Sequence, residues 1–151
     1  MIAIGCDHGA FALKQEILRY FEKNEITFKD FGTYSEESCD YPDFAAKTAR
    51  AVSDKSCDCG IVLCTTGIGV SIVANKVRGV RCALCSDTVS AELTRLHNDS
   101  NMLAIGAGIV GRELALRIVD VWLNTGFEGG RHERRVNKIS EVEKEMFKDV
   151  E

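Results

Sequence analysis

Nowhere in the 151 residues does an apolar run approach the ~20 that a bilayer-spanning helix requires, so no membrane partner is expected. No leader is expected either. The apolar stretch Met1 to Ile4 is broken at once by Asp7 and His8, with no basic segment or cleavage pattern, and the expectation is a cytoplasmic protein. Nor is there an excess of positive charge: 19 Lys and Arg stand against 23 Asp and Glu, a net charge of -4. That argues against nucleic acid as the partner, because a phosphate backbone selects a strongly basic surface. Repeats, low-complexity tracts and linkers are absent, and the length reads as one domain over residues 1–151.

Cysteine, in contrast, is abundant. Seven cysteines is an odd number in a chain long enough to build a real core, which argues against a disulfide framework. Cys82 and Cys85 form a C-x-x-C, but within the strand-like segment Val80 to Cys85, where residues three apart face opposite ways and cannot grip one metal. Cys57 and Cys59 share a face with no second pair or nearby His to complete a site. Most of these thiols therefore read as small core hydrophobes.

Short apolar runs at Met1–Cys6, Ile26–Phe31, Gly60–Cys64, Val80–Leu84 and Asn101–Ile105 read as strands. Between them, apolar residues recur at helical spacing. Leu13, Ile17, Tyr20 and Phe21 mark one helix; Phe44, Ala45, Ala49 and Val52 mark the next. Val89, Leu93 and Leu96 mark a third, and Leu114, Ile118, Val121 and Trp122 a fourth. Continuous apolar strands alternating with helices imply an α/β fold: a three-layer α/β/α sandwich on a Rossmann-like five-stranded parallel sheet. The Gly- and Arg-rich stretch from Phe127 to Lys138 reads as an exposed connection. A C-terminal helix is expected after Ser140, with Ser140 and Glu143 as a capping box and Ile139, Val142, Met146 and Val150 as its stripe. Segment 127–151 is expected to pack on a partner subunit.

Ligands of such sheets bind beyond the carboxyl ends of the strands, where strand order reverses. Asp7, His8 and Gly9 follow the first strand, and Cys64-Thr65-Thr66-Gly67-Ile68-Gly69 the third; His97-Asn98-Asp99 stand just before the fifth. All three clusters are expected on one edge. Two glycines after a buried strand allow a sharp turn that presents amides to an anion, and those amides with the helix dipole favour a Cys64 thiolate. The bland alternative is a tight turn around a buried cysteine. A phosphatase would need Arg six residues after the cysteine, where Val70 stands; a hydrolase using a Cys64–His97 pair stays open, though the sequence shows no separate orienting-residue signature for it. Gly106-Ala107-Gly108-Ile109-Val110-Gly111 is a formal dinucleotide fingerprint, but no further strand ending in an acid follows, and turning and close packing explain its glycines better. His97 alone would pass as a helix-terminal residue, Asp7 and His8 as a polar turn and N-cap, and Arg131, Arg134 and Arg135 as a solvated charge run. Yet guanidinium forks also match phosphate oxygens.

Taken in order, these segments resemble the ribose-5-phosphate isomerase B family with its hexose-6-phosphate relatives. The resemblance runs from Ile2 to about Glu143. Its marks are Gly5-Cys6-Asp7-His8, Phe31-Gly32-Thr33, Asp40-Tyr41-Pro42, Cys64 to Gly69, Ala74-Asn75-Lys76, His97-Asn98-Asp99 and Glu128-Gly129-Gly130-Arg131-His132. The resemblance implies that Cys64 is the base moving a proton between C2 and C1 through a cis-enediolate. It further implies that Gly67, Ile68 and Gly69 amides with Thr66 stabilise the oxyanion, and that His97 opens the sugar ring. Asp7 and Asn98 would hold hydroxyls, Thr65 would line the substrate pocket, and His8, Arg131 and Arg135 would bind the phosphate. No metal and no organic cofactor is implied, and a site shared between subunits makes a homodimer or a dimer of dimers the expected state. Thr65 stands where the family loop has Gly, and Gly108 where family members commonly carry Arg, with Arg134 as the candidate to compensate. The substrate expected is ribose 5-phosphate; the alternatives are a 6-phosphorylated hexose such as allose or galactose, or a non-catalytic phosphosugar- or nucleotide-binding module.

Overall fold

The computed structural model describes residues 1–148. Strands β1 (Ile2–Cys6), β2 (Phe28–Asp30), β3 (Cys59–Cys64), β4 (Cys82–Leu84) and β5 (Met102–Gly106) form one parallel sheet in the order β2-β1-β3-β5-β4. The helices are α1 (Phe11–Lys23), α2 (Tyr41–Ser53), α3 (Ile68–Ala74), α4 (Thr88–Asn98), α5 (Arg112–Asn124) and α6 (Arg131–Met146). The edge strands β2 and β4 are three residues long, shorter than their apolar runs suggest, since each has a partner on one side only. Among the described residues no helix is long and apolar enough to cross a membrane.

Alternation along the central strands sorts the core into two layers. Ile4, Cys6, Ile61, Leu63 and Ile105 pack with Ile17, Phe21, Ile118 and Trp122 of α1 and α5. Ala3, Val62, Cys64, Met102 and Ala104 pack with Ala45, Ala49, Val52 and Val70 of α2 and α3. The result is the three-layer α/β/α sandwich. Cys82 falls in one layer and Cys85 in the other, as their spacing requires, and all seven cysteines are free thiols.

The C-terminal helix corrects the sequence reading. It starts at Arg131, nine residues before Ser140, so much of the supposed connection is helical. Ser140 is mid-helix, its hydroxyl donating to the Val136 carbonyl, while the Glu143 carboxylate accepts from the Gly79 amide; there is no capping box. The periodicity was hidden because the inward stripe begins with His132 and Val136, a histidine that counts as polar and one valine. Ile139, Val142 and Met146 are exposed, with Phe147 partly so, along a groove of about 660 Å³ against β4; Val150 lies outside the described residues.

One buried charge ties the β2 edge together. Lys14 of α1 has no exposed surface; its Nζ donates to both Asp30 oxygens, at 2.7 and 2.8 Å, and to the Thr33 carbonyl. Asp30 also accepts from the Gly32 amide at 2.9 Å, and Thr33 N donates to Cys6 O at 2.7 Å, so the Phe31-Gly32-Thr33 segment is stitched to the end of β1. Removing one partner of a buried pair strands the other charge. Lys14→Met is expected to lower stability by about 3–5 kcal/mol in urea unfolding, and Lys14→Met with Asp30→Asn to recover much of that loss.

Candidate active site

Strand order reverses between β1 and β3: the chain leaves β1 through α1 to one side and returns through α2 to the other. Asp7 and Cys64 terminate these two neighbours, and Asp7 N donates to Leu63 O across the gap. They face a cavity of about 490 Å³ whose wall also includes Thr65, Thr66, Gly69 and Tyr41.

Cys64 is buried on the α2–α3 side of the sheet. Its Sγ accepts the Gly67 amide at 3.1 Å and lies 4.0 Å from the Thr66 hydroxyl. The turn that permits this needs Gly67 at φ 74°, where a Cβ would sit 2.7 Å from the Ile105 carbonyl carbon. Thr66 Oγ1 accepts the Ile68 amide at 3.2 Å, which leaves its own hydrogen to donate. Two of the three amides expected to face a ligand are thus already committed inside the loop, and Gly69 N is the one left among the described residues. Burial pushes four of the other thiols up, Cys6 and Cys82 to about 12 and Cys59 and Cys85 to about 11.

Asp7 is not a helix cap, since its side chain makes no capping bond. It is buried, and its Oδ1 has no hydrogen-bond partner among the described residues. A buried carboxylate oxygen without a donor is costly, and this one belongs to a residue lining the cavity. His8 is exposed; its Nδ1 accepts the Cys39 amide at 3.2 Å, leaving Nε2 to donate.

The two departures from the family pattern meet in space. A Cβ on Gly108 would lie 3.0 Å from Thr65 Cγ2 and 3.1 Å from Thr65 O, and one on Gly9 only 2.3 Å from Thr65 Oγ1. Thr65 is wedged between the two glycines. The fingerprint-like loop is pinned as well, with Ala107 N donating to Cys64 O and Gly108 N to Thr65 O; its amides are spent on packing.

His97, Asn98, Arg131 and Arg135 are elsewhere, which corrects the expectation of a single edge. In a parallel sheet, residues following a strand and residues preceding one lie at opposite ends. Helix α4 runs back from the carboxyl edge, so His97 ends beside Arg81 and Asn101, which precede β4 and β5. By strand rise that is roughly 16 Å from the edge bearing Cys64. There His97 stacks on His132, with ring centroids 4.2 Å apart, and Glu128 lies next to both. Arg131, Arg134 and Arg135 are exposed on the first turns of α6 and make no ion pair among the described residues. Sequence reasoning missed Tyr41 as a pocket wall, which Gly69 admits by lacking a Cβ that would lie 2.6 Å from its ring. It also gave no role to Glu128 and His132, although both stand in a quoted motif.

A thiol and a carboxylate facing one cavity at the switch point of a doubly wound sheet define a small-molecule site of the α/β enzyme class. The Ribose/Galactose Isomerase family model matches residues 2–139, and the chain belongs to that family. Ribose-5-phosphate isomerase B of Escherichia coli is 49% identical over 142 residues, covering 94% of this chain and 95% of the relative. Among solved structures, ribose-5-phosphate isomerase B of Clostridium thermocellum has TM-score 0.94 and 52% identity, over 96% of this chain and 98% of the other. The enzyme of Mycoplasma genitalium with bound ribulose 5-phosphate has TM-score 0.91 and 40% identity, over 95% and 96%.

The wedge gives a double-mutant cycle. Gly108→Ala is expected to cost about 1 kcal/mol more with Thr65 in place than in a Thr65→Ser background, which removes the methyl and keeps the hydroxyl. Thermal or urea unfolding of the four proteins measures this coupling.

Proposed function

We propose that this protein interconverts ribose 5-phosphate and ribulose 5-phosphate through a cis-enediolate. The observation that carries the reading is the convergence on one cavity of the Cys64 sulfur and the buried, unpartnered Asp7 oxygen. The Cys64 thiolate takes the C2 proton of the open aldose and returns it to C1, the hydroxyl proton passes from O2 to O1 in the enediolate, and Thr66 and the Gly69 amide stabilise the oxygen that becomes negative. Asp7 accepts a sugar hydroxyl, and Thr65 closes the pocket wall beside Gly9 and Gly108.

The second half of the chemistry lies at the other edge of the sheet: His97 to protonate the ring oxygen and open the furanose, Asn98 to hold a hydroxyl, Arg131 and Arg135 to bind the phosphate with His8. Since these cannot reach Cys64 of their own chain, the working unit is at least a homodimer in which one copy supplies Cys64 and the other His97. The exposed apolar face of α6 and the β4 edge, with Ile139, Val142, Met146 and Leu84, is the surface for that second copy. Remote anchoring of the phosphate fixes the reacting carbons. The residues use no metal or organic cofactor in this scheme, and the seven free thiols suit a reducing cytoplasm.

Coupled assays of ribose 5-phosphate turnover test the reading, with allose 6-phosphate as second substrate. Cys64→Ala is expected to lower kcat about a thousandfold on the pentose while remaining folded. Activity on the hexose alone would contradict the substrate assigned, and undiminished turnover in the variant would contradict the base.

A further inference from the structure

The pair of histidines at the amino edge is more ordered than a ring-opening acid alone requires. The imidazoles of His97 and His132 are stacked, centroids 4.2 Å apart and planes 13° from parallel. His132 is buried in the first turn of α6, whereas the His97 side chain is 39% exposed and available to a ligand. Glu128 Oε2 lies 3.9 Å from His97 Nε2 and 3.7 Å from His132 Nε2. The Glu128 amide donates to Leu96 O at 3.2 Å, so the loop is tied to the residue preceding His97.

These three side chains bring two imidazole nitrogens and a carboxylate oxygen within 4.8 Å of one another, the donor count of a metal triad. Their orientation is wrong for one. Nearly parallel rings aim their lone pairs side by side, while a tetrahedral ion needs them to converge. Stacking explains the geometry better.

We propose that His132 and Glu128 are positioning residues for His97, His132 fixing the plane of its ring by stacking and Glu128 flanking its Nε2 edge. Burial holds His132 below the ordinary histidine range, helped by the charges of His97, Arg131 and Arg135 and opposed by Glu128. Rotation of His97 about its side-chain bonds is what the stack removes, and a misaimed acid loses rate without losing substrate affinity.

This inference rests on the reading of His97 as the ring-opening acid, and the chemistry separates the two. Ribulose 5-phosphate has its 5-oxygen esterified and is acyclic, so exchange of its C1 proton with solvent needs Cys64 but no ring opening. Both reactions are measured for each variant: turnover of ribose 5-phosphate, and deuterium uptake at C1 of ribulose 5-phosphate by NMR. His132→Ala is expected to lower kcat on ribose 5-phosphate roughly tenfold to a hundredfold with KM little changed, while C1 exchange persists. His132→Phe, a neutral flat ring of similar bulk, is expected to restore most of the turnover, and Glu128→Gln to give a smaller loss of the same kind. Unchanged turnover in His132→Ala, or parallel loss of both reactions without rescue by His132→Phe, overturns the positioning role. If His97→Ala itself leaves ribose 5-phosphate turnover intact, the ring-opening reading falls and the inference falls with it.

Discussion

All five strands of the sheet point the same way, and that one constraint governs where chemistry can be placed. Side chains that follow a strand collect at the carboxyl edge; side chains that close a returning helix collect at the amino edge. Asp7, Cys64 and Thr66 belong to the first group and His97 and Asn98 to the second, with the α6 arginines at the start of the helix that packs beside them. Hydrogen bonds between strands fix the separation, so no side-chain rearrangement brings Cys64 to His97 within one chain. A reaction that needs both groups therefore needs two copies, and the exposed apolar stripe on α6 stands where a second copy can cover it.

At the carboxyl edge the backbone does most of the positioning. Gly67 turns the chain so that its own amide meets the Cys64 sulfur, and the Thr66 hydroxyl is oriented by the Ile68 amide. The wedge of Thr65 between Gly9 and Gly108 braces the loops after β1, β3 and β5 against each other. Behind them the buried Lys14–Asp30 pair holds the Gly32–Thr33 segment against β1. Burial meanwhile pushes the thiols of Cys6, Cys59, Cys82 and Cys85 far above neutrality.

Much of this was legible from residue patterns. Continuous apolar strands such as Gly60–Cys64 and helical stripes such as Leu13, Ile17 and Phe21 announce the sandwich, because hydrophobic burial alone dictates their period. The rest depends on partners that sequence does not display. Helix α6 hides because its inward face begins with His132 and, in one chain, much of its apolar stripe stays exposed. His97 lies at the edge opposite to Cys64 because it precedes β5, and in a parallel sheet a residue before one strand and a residue after its neighbour stand at opposite ends. The buried Lys14–Asp30 pair gives no sign in the sequence, since nothing in the neighbours of Lys14 reveals Asp30 beside it.

The central claim is that each site is divided between two chains, and subunit mixing tests it most directly. Cys64→Ala and His97→Ala proteins, each nearly inactive alone, would be combined in equal amounts under conditions that allow subunit exchange. In a mixed dimer one site carries both lesions and the other carries none, so recovery to about a quarter of wild-type activity is predicted for random pairing. No recovery above the parent proteins, with exchange verified, would place Cys64 and His97 in the same chain's site and contradict the account.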